Sequence, residues 1–138
     1  MDTFPHFNRK AENENDWFEA LISLARYLRT PEGCPWDREQ SAADFAGYAK
    51  GEVDEFIEAL EENDSAHISE EFGDAFFTLL AAAAAAEEEG YFKLEDSLRA
   101  IHEKMIRRHD HVFGETKAKT PEDAIKAWEQ AKAKERGE

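Results

Sequence analysis

The chain has 138 residues, 41% of them apolar, which is enough for one hydrophobic core and excludes an intrinsically disordered protein. Its 32 acidic against 17 basic side chains give a net charge of −15, which argues against nonspecific nucleic-acid binding. No apolar run has transmembrane length, the opening MDTFPHFNRK has no signal-peptide core, and Cys34 stands alone, so the expectation is a cytoplasmic protein with no membrane, no polymeric nucleic-acid partner and no internal disulfide.

The apolar periodicity predicts an all-α chain of about five helices with almost no strand alternation. Trp17, Leu21, Leu24, Ala25 and Leu28 form the stripe of a first helix over 16–28. Two prolines and a glycine in residues 30–37 (Thr-Pro-Glu-Gly-Cys-Pro-Trp-Asp) argue for a rigid loop without helix. Ser41 reads as the N-cap of a second helix ending near Glu62. Asn63-Asp64-Ser65 makes the turn into a third helix that stops near Gly90, and a fourth runs from about Leu94 to Arg108. Residues 109–119 read as loop. Thr120-Pro121-Glu122-Asp123 then starts a final helix, with Thr as N-cap and Pro at the first helical position. The whole of 1–138 reads as one domain with its core at about 17–132 and fraying from Lys132 on.

Two acidic pairs stand out: Glu52-x-x-Glu55 and Glu71-x-x-Asp74. Each lies on one face of a helix, and on packed helices the four carboxylates can converge. Glu52 falls inside the stripe of Phe45, Ala49, Phe56 and Leu60, and Glu71 lies at the edge of the stripe of Ile68, Phe72, Phe76, Leu79 and Ala83. Acids near a packing face need a partner, either a basic network or a cation. An all-oxygen set favours a hard divalent ion, Mg²⁺ or Mn²⁺. Glu58, Glu61 and Glu62 read instead as solvated. Residues 99–119 carry six basic side chains against three acidic, with His102, His109 and His111 interspersed. Lys104, Arg107 and Arg108 sit within about one turn, which fits phosphate contact as well as it fits a basic helix end. The Ala81–Ala86 run permits close helix approach and suggests a subunit interface.

Taken in order, the segments Cys34-Pro35-Trp36-Asp37-Arg38-Glu39-Gln40, Glu52-x-x-Glu55, Glu70-Glu71-Phe72-Gly73-Asp74, Glu103 to Gly114 (EKMIRRHDHVFG) and Trp128-Glu129-Gln130-Ala131-Lys132 resemble the MazG family. The resemblance covers about residues 17–132 and matches a single-domain member. It implies a four-helix-bundle-like all-α NTP pyrophosphatase fold. It also implies Mg²⁺-dependent cleavage of a (d)NTP to (d)NMP and pyrophosphate in nucleotide-pool house-cleaning, by a homodimer or dimer of dimers. By motif, Glu52, Glu55, Glu71 and Asp74 would be the metal ligands, with Glu55 nearest the attacking water. Lys104, Arg107, Arg108, Trp128 and Lys132 would contact the substrate, and Trp36 would cover the site or hold the base.

The chain departs from the family's usual Glu-Glu-x-x-Glu at the first acid, where it carries Gly51. A glycine inside a helix costs about 1 kcal/mol against Ala. A base-specific dUTP or dCTP pyrophosphatase would share the acidic set. A di-iron bundle would need Glu-x-x-His motifs, which neither pair supplies. A non-catalytic helical interaction protein would tolerate losing the acids.

Overall fold

The computed structural model describes residues 6, 7 and 9–138. The described residues contain seven helices in two compact units, the first ending at Lys93 and the second running from Leu94 to Glu138. Among the described residues no helix is long and apolar enough to cross a membrane.

In the first unit, α1 (Glu14–Tyr27) begins two residues earlier than the stripe suggests. Asn13 is the reason, because its side chain accepts from the Asp16 N–H at 3.0 Å and caps the helix. The following loop is pinned by Gly33 N–H to Thr30 O and Cys34 N–H to Leu28 O, both 2.8 Å. A Cβ at Gly33 would lie 2.3 Å from Leu28 O, so only glycine fits. The expected helix-free loop is corrected here: α2 (Pro35–Glu39) is a short helix. Pro35 starts it because a first-turn residue needs no N–H partner and the ring presets φ.

The next helix, α3 (Ala42–Glu62), opens on a full capping box between Ser41 and Asp44. It ends at Asn63, which is left-handed with φ 59°, a conformation Asn adopts more readily than most residues. Asp64 then caps α4 (Ser65–Glu88). The tight turn lays α4 back along α3, and α4 also packs on α1 through Phe18 and Phe76, whose rings are 5.7 Å apart. Phe45, Ala81 and Ala85 form a buried cluster between α3 and α4. Ala81 and Ala83–Ala86 are buried within the chain, so the close approach they permit is intramolecular. Parts of the expected core stripe stay at the surface instead: Leu60, Phe72 and Leu79 are each about half exposed, as are Val53 and Ile57.

The second unit holds α5 (Leu94–Arg108), α6 (Asp110–Phe113) and α7 (Pro121–Glu135). The one-turn α6 replaces expected loop. Asp110 stabilises the turn after it by accepting from the Thr116 N–H at 3.2 Å and from its hydroxyl. Those two bonds hold the Asp110 carboxyl below the usual aspartate range. A Cβ at Gly114 would fall 1.8 Å from Asp110 Oδ1, so a larger residue there would displace the Asp110 carboxylate from Thr116. Thr120 caps α7 as the sequence indicates, accepting from Asp123 N–H at 3.1 Å.

Candidate acidic centre and arginine cluster

Within the first unit, α3 and α4 bring Glu52, Glu55 and Glu71 together, with one carboxylate oxygen of each within 4.8 Å of the others. Asp74 joins through a second, overlapping group of Glu70, Glu71 and Asp74. The four expected acids therefore form two sets sharing Glu71, and Glu70 is an additional donor that the i, i+3 pattern did not single out. Glu71 is buried at 8% exposure, and one carboxylate oxygen each of Glu52 and Glu71 is buried without a hydrogen-bond partner. Burial, reinforced by neighbouring carboxylate charge, pushes both Glu52 and Glu71 above the usual glutamate range. Buried like charges at this spacing are stable only with protons or a cation among them. The donor chemistry, carboxylate oxygens with no thiol, suits a hard divalent ion.

His67 was not marked by the sequence pattern. Its ring bridges Glu62 (Nδ1 to Oε2, 2.9 Å) and Glu71 (Nε2 to Oε1, 3.2 Å) from one turn earlier in α4. This occupies one oxygen of Glu71 and leaves the other without a partner. The signal was the i, i+4 spacing of His67 and Glu71.

Beside Glu52 and Glu55 lies a cavity of about 580 Å³ within the first unit. Trp36, Phe45 and Tyr48 supply its aromatic wall. Trp36 stacks on Tyr48 at 5.8 Å between centroids and meets Phe45 edge-on at 6.0 Å. Trp36 is held from behind, where Gln40 Nε2 donates to its carbonyl at 3.1 Å. Arg29 fixes the same loop, with Nη1 donating to Asp37 O at 2.7 Å and Nη2 to Gln40 O at 3.1 Å. It also pairs with the buried Asp37 carboxylate (3.2 Å) and with Glu88.

In the second unit, Arg107 and Arg108 share the two oxygens of Glu135 at 3.1 and 3.0 Å. These bonds hold Glu135 below the usual glutamate range. Arg108 lies over the Trp128 ring at 5.1 Å, and His109 meets the same ring edge-on at 5.6 Å. Lys104 is one turn before Arg108 on α5, and Lys132 one turn after Trp128 on α7, both half-buried. Glu135 as the common partner of both arginines was not foreseen. Glu135 is the last residue of α7, and its role is set by tertiary contact and has no local sequence signature.

A MazG nucleotide pyrophosphohydrolase domain model matches residues 40–113. The chain is 42% identical over 120 residues to the Thermotoga maritima nucleoside triphosphate pyrophosphohydrolase/pyrophosphatase MazG, covering 87% of this chain and 46% of that protein. It is 38% identical over 121 residues to the nucleoside triphosphate pyrophosphohydrolase of Escherichia coli K12, again covering 87% and 46%. The chain thus spans less than half the length of these curated relatives. A crystal structure of a mazG-related protein from Thermotoga maritima superposes with a TM-score of 0.72 at 32% identity, over 83% of this chain and 98% of that one.

Proposed function

This chain belongs to the MazG nucleotide pyrophosphohydrolase domain family, and from that premise we propose that it hydrolyses nucleoside triphosphates, NTP or dNTP, to the monophosphate and pyrophosphate. The observation that carries the reading is the pair of buried, partnerless carboxylate oxygens on Glu52 and Glu71, set among further carboxylates beside an aromatic-walled cavity. Glu52, Glu55, Glu71 and Asp74 would hold Mg²⁺, with Mn²⁺ as a substitute, and Glu70 offers a further oxygen. The bound ion supplies neutralisation of phosphate oxygens. Glu55 is exposed and orients the attacking water as its carboxylate accepts the water's hydrogen bond. Lys104, Arg107, Arg108, Trp128 and Lys132 are assigned to the substrate, the basic groups to the charge of the triphosphate and the departing pyrophosphate. Trp36 is assigned to the base.

The family match crosses the boundary at Lys93, which supports 1–138 acting as one domain. The half-exposed Val53, Ile57 and Leu60 on one face of α3 support a homodimer or dimer of dimers. The setting this reading implies is nucleotide-pool house-cleaning in the cytoplasm.

The decisive assay is purified protein with a panel of NTPs and dNTPs plus Mg²⁺. Monophosphate and pyrophosphate should appear together, in equal amounts, from the first time point. Diphosphate and orthophosphate as primary products would reject the reading. Arg108→Ala should weaken binding of a non-hydrolysable triphosphate about ten- to hundredfold, the loss of a charge-assisted contact of ~1.5–3 kcal/mol. Mn²⁺ affinity measured on the same variant should stay within error, because the assigned contact is to phosphate. Unchanged triphosphate affinity would remove Arg108 from the site.

A further inference from the structure

Gly47 and Gly51 are the two glycines of α3, and both line the cavity that Trp36 and Tyr48 wall. They are one turn apart, on the same side of the helix as Tyr48, Glu52 and Glu55. A Cβ built at either position meets nothing within 4 Å, so it would project into open space. Neither glycine is needed for a positive φ or a close helix approach. Interior glycines weaken a helix, so the fold alone gives no reason for two of them on one cavity-facing strip.

The rest of the cavity says what the space suits. Trp36 and Tyr48 are 53% and 47% exposed, which leaves the surface of these stacked rings available to a flat apolar ligand. The cavity, at about 580 Å³, lies within the range of about 300–1,000 Å³ typical of small-molecule sites. Tyr48 lies one turn from Glu52 and two from Glu55, about 6–11 Å along the helix axis. A ligand stacked at Tyr48 would therefore carry its polar end toward the acids. Tyr48 itself is steadied by its hydroxyl, 3.3 Å from Gln40 Oε1.

We propose that Gly47 and Gly51 set the size of the base this site accepts, leaving the α3 backbone bare beside the Trp36–Tyr48 wall so that a double-ring base lies flat against it. The inference rests on the triphosphate reading above and gives that substrate a class, the purine nucleotides. The single-ring base of a pyrimidine nucleotide covers less of the aromatic wall and leaves the glycine strip uncovered.

The test uses Gly51→Ala, Gly51→Leu and Gly47→Leu in the full chain. Calorimetric titration with α,β-imido analogues of ATP and CTP measures binding without turnover, and a thermal melt checks the fold. The wild type should bind the ATP analogue more tightly. Gly51→Leu and Gly47→Leu should each narrow the ATP-to-CTP preference at least tenfold, Gly51→Ala should narrow it by less, and all three should melt at or above the wild-type temperature. A preference that is absent in the wild type, or that survives all three substitutions, overturns the inference. A wild type that binds the ATP analogue with this preference yet cleaves no NTP leaves the size inference standing and removes the hydrolase reading. Cleavage by wild type with no change in preference among the variants does the reverse.

Discussion

Glu71→Gln should lower the turnover of any accepted triphosphate by roughly 100-fold or more, while the far-UV circular dichroism and melting temperature stay close to wild type. Glu71 belongs to both acidic groups, so its side chain is the one position whose loss touches every carboxylate assigned to the ion. Glutamine keeps the shape and can still meet His67 from Oε1, but it replaces the buried, partnerless oxygen by an NH₂ that repels a cation. The fold should tolerate this because the wild-type site, without an ion, already pushes the Glu71 proton affinity upward through burial and the charge of Glu55. Removing a charge relieves that repulsion. Mn²⁺ binding, followed by loss of the free-ion magnetic resonance signal, should weaken in parallel with turnover. Glu58→Gln, at an exposed position on the same helix pair, serves as the control and should change neither. Retention of most Mg²⁺-dependent activity in Glu71→Gln would remove the acidic centre from the chemistry.

Local rules made the long helices legible. Ser41, Thr120 and the Asn63-Asp64 turn each carry a side chain or backbone state that specifies an end by itself, and all three ends fall where the residues indicate. The two short helices were not legible, because five and four residues give no period to read. Pro35, taken as a breaker, is the first residue of one of them. The acidic pairs were visible from spacing, but their division into two groups sharing Glu71 depends on how α3 and α4 pack. Helical-wheel position overstated burial at Leu60, Phe72 and Leu79, since a wheel gives a residue's direction and not whether a neighbour lies there. Arg29 had no motif at all. Its importance appears only when α1, the 30–40 loop and α4 are assembled around it.

That assembly makes Arg29→Ala the substitution with the largest expected effect on stability, a loss of about 3–5 kcal/mol, or roughly 10–20 °C in melting temperature for a domain of this size. The guanidinium is 7% exposed and faces an Asp37 side chain that is equally buried. It satisfies the carbonyls of Asp37 and Gln40 as well, and reaches Glu88 on α4. Removing it leaves two backbone acceptors and one buried carboxylate without a partner. Asp37→Asn should cost less, about 1–3 kcal/mol, because Arg29 keeps both carbonyls and Glu88. The pH dependence separates this account from simple loss of packing. Burial already holds the Asp37 carboxyl above the usual aspartate range, with Arg29 opposing the shift and Glu88 adding to it. Between the unfolded and folded values the native state keeps a proton that the unfolded chain has released, so the Asp37 contribution to stability falls as pH rises through that window. Without Arg29 the folded value moves higher still. The defect of Arg29→Ala relative to wild type should therefore be greatest near neutral pH and shrink on acidification toward the carboxylate range, where a protonated Asp37 needs no counter-charge. Urea unfolding of both proteins across that range would show it, and a defect independent of pH would mean that Arg29 acts through its packing and its bonds to the loop carbonyls alone.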